Sequence, residues 1–254
     1  MLEPSVPDFS LAGRRAIVTG ASRGIGAALA VGLARFGADV AICAREAAAL
    51  AGCRQQIEAA GRKAVPFALD VRTAGAIEPA IEQAATALGG LDILINNAGI
   101  EQVSPSLEVD EALWDRIVDT NLKGAFFCAQ AAARRMAAGA IVNVCSLTSG
   151  VGVPTAVPYG SSKSGLLGMT RALAAEWAPS IRVNAIGPGY FRTELTEVFY
   201  RDPTWCAKML EKIPASRFGV LDDLVGATVF LCSDAARYVT GQLLYIDGGY
   251  MASI

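Results

Sequence analysis

The sequence predicts an α/β fold, in which a doubly wound parallel sheet of seven strands carries helices on both faces. Apolar runs of strand length alternate with helical segments along the chain. These runs are continuous and do not alternate with polar residues, which is typical of strands buried on both faces of a parallel sheet. The 254 residues contain no linker, composition break, internal repeat or low-complexity tract, so we expect a single domain over 1–254.

The elements follow one another in a regular order. Strands are predicted at 14–20, 39–44, 63–69, 91–97, 139–146, 181–187 and 242–247. Helices are predicted at 25–37, at about 46–60, between the third and fourth strands, and at 159–177. The least regular region, about 188–220, contains three prolines and is predicted to be a substrate lid.

Composition excludes several classes of protein. Apolar residues make up 53% of the chain and charged residues 18%, with a net charge of −2. This predicts a large core and no nucleic-acid partner, since nucleic-acid binding needs clustered Lys and Arg. The N-terminus has no basic start or apolar run, so no secretory signal is expected. The uncharged stretch 136–162 is rich in Gly, Pro, Ser and Thr, which favours strand plus loop over a membrane span.

The sequence has six cysteines and no histidine. No Cys-x-x-Cys occurs, so neither a zinc site nor a dithiol redox motif is indicated, and we predict no metal. Several cysteines lie in apolar runs, where free buried thiols are expected, and this favours a reducing, cytoplasmic location. Without histidine, any proton transfer needs another side chain.

The first predicted strand leads into a glycine-rich turn, TGASRGIG at 19–26, that opens a helix. Glycines allow the backbone to approach a pyrophosphate, and a helix N-terminus offers unpaired N–H groups. A tight turn without a ligand is the alternative. The position of this turn after the first strand of an α/β pattern favours dinucleotide binding.

Tyr159 and Lys163 are four residues apart in a predicted helix, so they lie on one face of it. A phenol has a pKa near 10 and is a poor acid or base at neutral pH. An ammonium group nearby favours the phenolate and is expected to lower that pKa. The alternative is an ordinary Tyr–Lys pair on a helix surface. Functionally, the pair predicts a general acid/base for a carbonyl or alcohol oxygen.

The glycine-rich turn, NNAG at 96–99 and Tyr-x-x-x-Lys at 159–163 together resemble the short-chain dehydrogenase/reductase family, from residue 13 to the C-terminus. The resemblance implies a Rossmann fold and a nicotinamide-dependent oxidoreductase acting on a secondary alcohol or ketone. The C-terminal third is most similar to gluconate 5-dehydrogenase and 2-deoxygluconate dehydrogenase members. It resembles 3-oxoacyl-acyl-carrier-protein reductases more loosely.

The resemblance implies roles for four catalytic positions. Tyr159 would be the general acid/base, and Lys163 would also hold the nicotinamide ribose. Ser146 would hold the substrate oxygen, with Ser149 as a minor rival. Asn121 would support a water-linked proton path to the lysine, although it could equally satisfy helix backbone.

The resemblance also implies cofactor contacts on the loops that follow the strands. Asp70 and Val71 resemble the adenine pocket, Asn97 the adenosine ribose side, and Phe191 and Thr193 the nicotinamide carboxamide segment. The contacts implied in the glycine-rich turn are Gly20, Ser22, Arg23, Gly24, Ile25 and Gly26.

The end of the second strand bears on the choice between NADP and NAD. NAD-selective relatives carry an acidic residue there, which accepts hydrogen bonds from the ribose 2′-OH. This chain has Ala44 followed by Arg45, and Arg23 lies in the glycine-rich turn. Two guanidinium groups and no carboxylate suit a 2′-phosphate. We therefore predict NADP, with NAD as the less favoured alternative.

The substrate is less defined by the sequence. After NNAG comes IEQVSP, which lacks the basic residue that sugar-acid members tend to place there, so an anion would face Glu101. Arg192 and Arg201 in the predicted lid could replace that cation. A sugar acid, a neutral ketone, a sugar or polyol, and a bulkier carbonyl compound all stay open. The lid aromatics suit an apolar group, although core packing would also explain them; they are Phe199, Tyr200 and Trp205.

A non-catalytic dinucleotide-binding redox sensor is the competing class. Such a protein is expected to have lost Tyr159, Lys163 or Ser146, and all three are present.

The high apolar fraction and the small-residue faces of 110–137 and 159–177 predict a homo-oligomer, most simply a homotetramer.

Overall fold

Seven strands form one parallel sheet in the computed structural model, which describes residues 8–193 and 197–253. The strands are β1 (Arg15–Thr19), β2 (Asp39–Ala44), β3 (Ala64–Ala68), β4 (Ile93–Asn96), β5 (Gly139–Val144), β6 (Ile181–Pro188) and β7 (Leu243–Ile246). Their order in the sheet is β3-β2-β1-β4-β5-β6-β7. The predicted fold class is confirmed. The predicted domain also includes 1–7, 194–196 and 254, which lie outside the described residues.

Helices connect the strands. They are α1 (Gly24–Arg35), α2 (Ala51–Ala59), α3 (Ala74–Leu88), α4 (Glu111–Val118), α5 (Gly124–Ala133), α6 (Val157–Trp177), α7 (Glu197–Tyr200), α8 (Pro203–Lys212) and α9 (Asp223–Cys232). A turn of π-helix, Asp119–Lys123, joins α4 to α5. The helix predicted at about 46–60 is divided, because a 3-10 turn at Ala47–Leu50 precedes α2.

Both faces of the sheet are covered. Val18 in β1 packs with residues of α1, α2 and α9, whereas its neighbour Ile17 packs with residues of α3, α5 and α6. Successive side chains of a strand point to opposite faces, and both of these residues are fully buried. Burial on both faces explains why the strands are continuous apolar runs in the sequence.

The strand order reverses beside β1, whose neighbours are β2 on one side and β4 on the other. The loops that leave β1 and β4 therefore diverge and open a crevice at the carboxyl ends of the strands. The glycine-rich turn and the NNAG segment both lie at this crevice.

A buried polar network links β4, β5 and α6. Asn96 stands opposite Asn143 in the register of the two strands and donates a 2.9 Å hydrogen bond to its side-chain oxygen. Asn143 in turn donates to the hydroxyl of Thr170 at 2.8 Å. All three residues are buried. The network fixes the two strands against the helix that carries Tyr159.

The region between β6 and α9 contains the two short helices α7 and α8. Phe191 is buried and forms a parallel bridge with Gly219, which closes the base of this excursion. The side chain of Phe199, a predicted lid aromatic, lies outside the described part of the chain.

All six cysteines are free thiols, and five of them are buried. Burial raises the pKa of the Cys43 and Cys53 thiols above the ordinary value. Buried neutral thiols are unreactive, so these two cysteines act as small apolar core residues.

Across 8–193 and 197–253, no helix combines the length and the apolar character needed to cross a bilayer.

Candidate active site

A cleft of about 690 Å³ follows the carboxyl ends of the central strands. One end is formed by the glycine-rich turn and the other by α6, the segment after β6 and α8. The predicted residues that line it are Gly20, Ser22, Arg23, Gly24, Ile25, Gly26, Arg45, Asp70, Val71, Asn97, Ser146, Tyr159, Lys163, Phe191 and Thr193. Asn121 is absent from the cleft wall and lies buried behind it. The fold thus brings all the predicted site residues except Asn121 to one continuous cleft.

The glycine-rich turn needs its glycines. Gly20 and Gly24 have φ angles of +67° and +55°, in the left-handed region that favours glycine. A Cβ on Gly26 would lie 2.3 Å from the carbonyl oxygen of Gly20 and 2.4 Å from the Asn97 amide nitrogen. The backbone of the turn is therefore packed too closely for side chains, and it presents peptide groups to the cleft.

Asn97 holds this turn in place. Its side-chain amide donates hydrogen bonds to the carbonyl oxygens of Thr19 at 2.9 Å and Gly20 at 3.1 Å. The Thr19 hydroxyl accepts from the backbone of Asn97 and of Ala98, both at 3.0 Å. The loops after β1 and β4 are therefore joined by side chains on each of them.

Helix α1 begins directly after the turn. Its N-cap residue, Arg23, makes no side-chain capping hydrogen bond, and its first turn contains no acidic residue. First-turn N–H groups without a cap, together with the positive end of the helix dipole, form an anion site. The turn therefore fits the pyrophosphate of a dinucleotide.

Three arginines, Arg23, Arg45 and Arg72, line the cleft at this end. Arg72 forms an ion pair with Asp70 at 2.7 Å, and its hydrogen bonds hold the pKa of that carboxyl below the usual range. The positive charge of Arg45 acts on Asp70 in the same direction. Arg45 and Arg23 are exposed at the mouth of the cleft. The resulting positive field suits a phosphate group. The prediction omitted Arg72, although it directly follows Asp70-Val71.

Tyr159 and Lys163 lie one turn apart in α6, as predicted. Nζ of Lys163 lies 5.7 Å from the centre of the Tyr159 ring. Lys163 is only 4% exposed, and its Nζ donates a 2.7 Å hydrogen bond to the carbonyl oxygen of Val144. Burial lowers the pKa of Lys163, and the charge of Glu101 opposes that shift. The ammonium group is thus fixed at the end of β5, beside the tyrosine.

The expected lowering of the Tyr159 pKa is wrong for this structure. Burial raises its pKa, and the charge of Glu101 raises it further. The hydrogen bond with Ser146 has the opposite effect. The phenol is therefore protonated at neutral pH. Sequence spacing placed the lysine correctly, but it could not account for the desolvation of the phenol or for the carboxylate from another loop.

Ser146 and Ser149 differ in where they point. Ser146 caps a 3-10 turn, Leu147–Ser149, lines the cleft and hydrogen-bonds with Tyr159. Ser149 instead donates a 2.9 Å hydrogen bond to the backbone oxygen of Lys163 and does not line the cleft. The geometry therefore favours Ser146 over its rival as the residue beside a substrate oxygen.

Asn121 lies in the π-helical turn, with 1% of its surface exposed. Its amide accepts from the backbone N–H of Ile100 at 2.8 Å and donates to the Ile100 carbonyl oxygen at 2.9 Å. It also donates to the hydroxyl of Ser162 at 3.1 Å. A Cβ on Gly99 would lie 3.3 Å from the Asn121 oxygen and 3.5 Å from Nζ of Lys163. Asn121 therefore connects the loop after β4 to α6 next to the lysine.

The other end of the cleft has a mixed lining. Tyr190, Tyr200, Trp205 and Tyr250 line it and contact one another edge to face, with ring centres 5.2 to 5.6 Å apart. Glu101 lines the wall near Tyr159 and Lys163, and burial raises the pKa of its carboxyl. Tyr190 and Tyr250 were missed in the sequence, because nothing in their local pattern indicates that two distant loops meet.

The predicted replacement cations do not reach this cleft. Arg192 is exposed and donates two hydrogen bonds to Glu197, at 2.8 and 2.7 Å. Arg201 is exposed as well, and neither side chain lines the cleft. Arg116 on α4 does line it, and its guanidinium donates a hydrogen bond to the side-chain oxygen of Gln102.

Within the described residues, no group of three His, Cys, Asp or Glu side chains is placed to hold a metal.

The sequence and structure match known oxidoreductases. A family model described as Enoyl-(Acyl carrier protein) reductase matches residues 20–251. The gluconate 5-dehydrogenase of Gluconobacter oxydans (strain 621H) is 42% identical over 255 residues, covering 98% of this chain and 100% of the relative. A 3-oxoacyl-acyl-carrier-protein reductase of Staphylococcus aureus (strain Mu50) is 36% identical over 241 residues, covering 93% and 97%.

Two crystal structures extend the match to three dimensions. A provisionally assigned short-chain alcohol dehydrogenase of Sinorhizobium meliloti 1021 is 64% identical, with a TM-score of 0.96 and coverage of 98% of this chain and 100% of the other. A gluconate 5-dehydrogenase of Burkholderia cenocepacia J2315, in complex with NADP and tartrate, is 37% identical, with a TM-score of 0.94 and coverage of 97% and 98%.

Proposed function

Because the chain belongs to the short-chain dehydrogenase/reductase family, we propose that it is an NADP(H)-dependent oxidoreductase that interconverts a secondary alcohol and a ketone. The observation that carries the proposal is the meeting of Ser146, Tyr159 and Lys163 in a cleft whose other end is formed by the glycine-rich turn. A dinucleotide site without catalysis would not need a buried lysine beside a tyrosine that is hydrogen-bonded to a serine.

NADP is the cofactor that the residues fit. The turn from Gly20 to Gly26 would hold the pyrophosphate on the first N–H groups of α1. Arg45 and Arg23 would face the 2′-phosphate, and Ala44 leaves that position without a carboxylate. Some relatives were crystallised with NADP. The adenine side would use Asp70 and Val71, the ribose side Asn97 and Lys163, and the carboxamide side Phe191 and Thr193.

The bound nicotinamide would supply the hydride chemistry, and the chain's own residues would move the proton. Tyr159 is held protonated by its raised pKa, which is the form required to donate a proton to a ketone oxygen. Ser146 would donate a hydrogen bond to the same oxygen and stabilise its developing charge. Lys163, fixed by Val144, would stabilise the phenolate that remains.

Asn121 would have a positioning role in this scheme. Its double hydrogen bond clamps Ile100, and its bond to Ser162 reaches the turn of α6 between the tyrosine and the lysine. A polar group behind Lys163 also suits a water-linked path by which the proton is replaced.

A spectrophotometric assay tests the proposal. Purified protein should oxidise NADPH in the presence of a panel of ketones, and reduce NADP with the corresponding alcohols, with a preference for NADP(H) over NAD(H). The Tyr159→Phe variant should bind NADPH but turn over slowly. Absence of NADPH binding, or equal rates for the variant and the wild type, would contradict the proposal.

Activity as a 3-oxoacyl-acyl-carrier-protein reductase is the second candidate, supported by the similarity to the Staphylococcus aureus enzyme. Reduction of acetoacetyl-coenzyme A faster than of free ketones would favour it.

The segment at about 188–220 would act as the substrate lid, since it supplies Tyr190, Tyr200 and Trp205 to the cleft.

The assembly and location belong to the same proposal. A homotetramer is supported by the apolar composition and by exposed apolar side chains on and beside α4, of which Leu107 is fully exposed and Trp114 is 39% exposed. Sedimentation of a monomer at micromolar concentration would contradict it. The buried free thiols support a cytoplasmic location, to be tested by fractionation.

A further inference from the structure

The substrate end of the cleft places two opposite charges next to the reacting atoms. Glu101 lines the wall, and its charge raises the pKa of both Tyr159 and Lys163. The Lys163 ammonium in turn opposes the upward shift of the Glu101 pKa that burial causes. These mutual effects put the carboxyl group within electrostatic reach of both catalytic side chains.

The backbone next to Glu101 is held in place. The preceding residue, Ile100, is clamped at both its N–H and its carbonyl oxygen by Asn121. Asn121 is itself buried. The backbone that carries the carboxylate is therefore fixed by the same side chain that connects this loop to α6.

The remaining wall at this end is largely apolar or aromatic. It includes the rings of Tyr190, Tyr200, Trp205 and Tyr250 together with Val151, Val153 and Pro154, and its polar members include Gln102, Arg116, Thr148 and Thr155. Aromatic rings supply large contact area to a hydrocarbon body. An anion placed here would meet Glu101, and a cation would meet Lys163, whereas an uncharged molecule would meet neither repulsion.

From this arrangement we infer that the substrate is an uncharged ketone, or the corresponding secondary alcohol, with a hydrocarbon body, and that Glu101 excludes carboxylate-bearing analogues. The inference rests on the proposed function and narrows its substrate class. It separates this chain from the relatives named for gluconate, whose substrate is a sugar acid.

Arg116 is the cation that could reverse this conclusion. It lines the cleft from α4, and its guanidinium is already bonded to the side-chain oxygen of Gln102. If Arg116 received a substrate carboxylate, acids would be favoured in spite of Glu101. The experiment therefore needs a variant of each residue.

A matched pair of ketones provides the test. Methyl benzoylformate and benzoylformate share the phenyl ketone and differ in whether the carboxyl group is esterified or charged. The ester is also the more electrophilic ketone, so the change in the ester-to-acid ratio between the wild type and Glu101→Gln is the decisive measurement. We expect the wild type to reduce the ester with a kcat/KM at least about 10-fold above that of the acid, because a like-charge contact in a partly buried site disfavours binding strongly. Glu101→Gln should shrink the ester-to-acid ratio by at least about 10-fold, and the ratio cancels any general effect on Tyr159.

The control is Glu108→Gln, which removes an exposed carboxylate outside the cleft and should leave the ratio unchanged. A wild type that prefers the acid, or an acid activity that collapses in Arg116→Gln, would overturn the inference and leave the proposed function intact. If neither compound nor any ketone of the panel supports NADPH oxidation, the proposed function fails first.

The aromatic wall is tested separately by the size of the substrate. Methyl pyruvate has the same reacting group as methyl benzoylformate but no ring. Trp205→Leu should raise KM for methyl benzoylformate at least about 5-fold more than KM for methyl pyruvate, since only the larger ester needs the wall. Equal changes for the two esters would overturn the assignment of a hydrocarbon body.

Discussion

Nζ of Lys163 donates a 2.7 Å hydrogen bond to the carbonyl oxygen of Val144, the last residue of β5. The bond ties α6 to the strand that leads into Ser146, two residues later. The lysine is thereby held in one position although its side chain is long and flexible. The ammonium has three N–H donors, so the bond to Val144 leaves donors for a bound ligand.

Replacement of Lys163 by methionine should affect both catalysis and cofactor affinity. The variant keeps an unbranched side chain but loses the charge that stabilises the phenolate and the donor for the ribose. We expect kcat to fall about 10²-fold or more, and the Kd for NADPH, measured by fluorescence titration, to rise. Lys63→Met is the control, because Lys63 also donates to a backbone oxygen but lies outside the cleft. Unchanged NADPH affinity in Lys163→Met would argue against the ribose contact.

Tyr159→Phe removes only the hydroxyl. The ring stays in place, so NADPH binding should be nearly unchanged, while kcat falls about 10²- to 10⁴-fold, the usual contribution of a positioned acid or base. Steady-state kinetics with a ketone of the panel would measure this. Tyr238→Phe, which alters a fully exposed tyrosine, should behave like the wild type. A kcat close to that of the wild type would remove Tyr159 from the mechanism.

Arg45 and Arg23, at the mouth of the cleft, predict a preference for NADP over NAD. Combining Ala44→Asp with Arg45→Gln repels the 2′-phosphate and offers a carboxylate to the free ribose hydroxyls. We expect the NADP-to-NAD ratio of kcat/KM to fall by at least about 10-fold, or about 1.4 kcal/mol. Arg54→Gln, in an exposed ion pair on α2, should leave the ratio as it is. A wild type that works faster with NAD(H) would mean that Arg45 and Arg23 are ordinary surface residues.

Gly26→Ala should distort the glycine-rich turn at 19–26. The new methyl group would meet the Gly20 carbonyl oxygen and the Asn97 amide at distances that real Cβ atoms do not show. We expect a loss of stability of about 1–3 kcal/mol, the usual cost of overpacking, and weaker NADPH binding. Gly52→Ala on α2 meets nothing within 4 Å and should stabilise the protein by up to about 1 kcal/mol. Urea denaturation of both variants would show whether the opposite signs are found.

Asp92 should contribute a pH-dependent share of stability. Burial disfavours its carboxylate, but hydrogen bonds from Arg15 at 2.7 and 2.9 Å outweigh burial and lower the pKa. The contribution is therefore fully present above the ordinary pKa near 4 and is lost as pH falls through the lower folded value. Asp92→Asn should cost about 1–3 kcal/mol at pH 7.

Urea denaturation at several pH values measures that contribution. The difference between wild type and Asp92→Asn should be constant from pH 7 to pH 5 and should shrink below about pH 4. Glu58→Gln, in an exposed ion pair, should change stability little at any of these values. A difference that grows as the pH falls would contradict the assignment.

The sequence predicted the elements of the fold well, because burial on both faces of the sheet leaves a strong local signal. The strand at 39–44 has the predicted limits, and the first strand is one residue shorter at each end. The limits of these two strands are closer to the predicted limits than those of the helix predicted at about 46–60, where a 3-10 turn precedes α2. Local propensity cannot determine which type of turn starts a helix that tertiary contacts position.

The cleft was predictable where its residues belong to short motifs and less so elsewhere. The glycine-rich turn and the Tyr159–Lys163 pair are local patterns, and the structure places them along one cleft. Tyr250 and Arg116 reach the cleft from loops and helices far apart in the chain. The pKa of Tyr159 also depends on burial and on Glu101, and neither can be read from the spacing of α6.

The pairing of Asn96 with Asn143 has a consequence for how the sheet assembles. A shift of β4 against β5 by one residue would turn the Asn96 amide toward the other face of the sheet, so Asn96 and Asn143 would each lose the other as a hydrogen-bond partner. Each unsatisfied amide costs about 1–3 kcal/mol. Misregistered folding intermediates are therefore disfavoured in the two strands that lead to Asn97 and Ser146, so these two cleft-lining residues are aligned before any ligand binds.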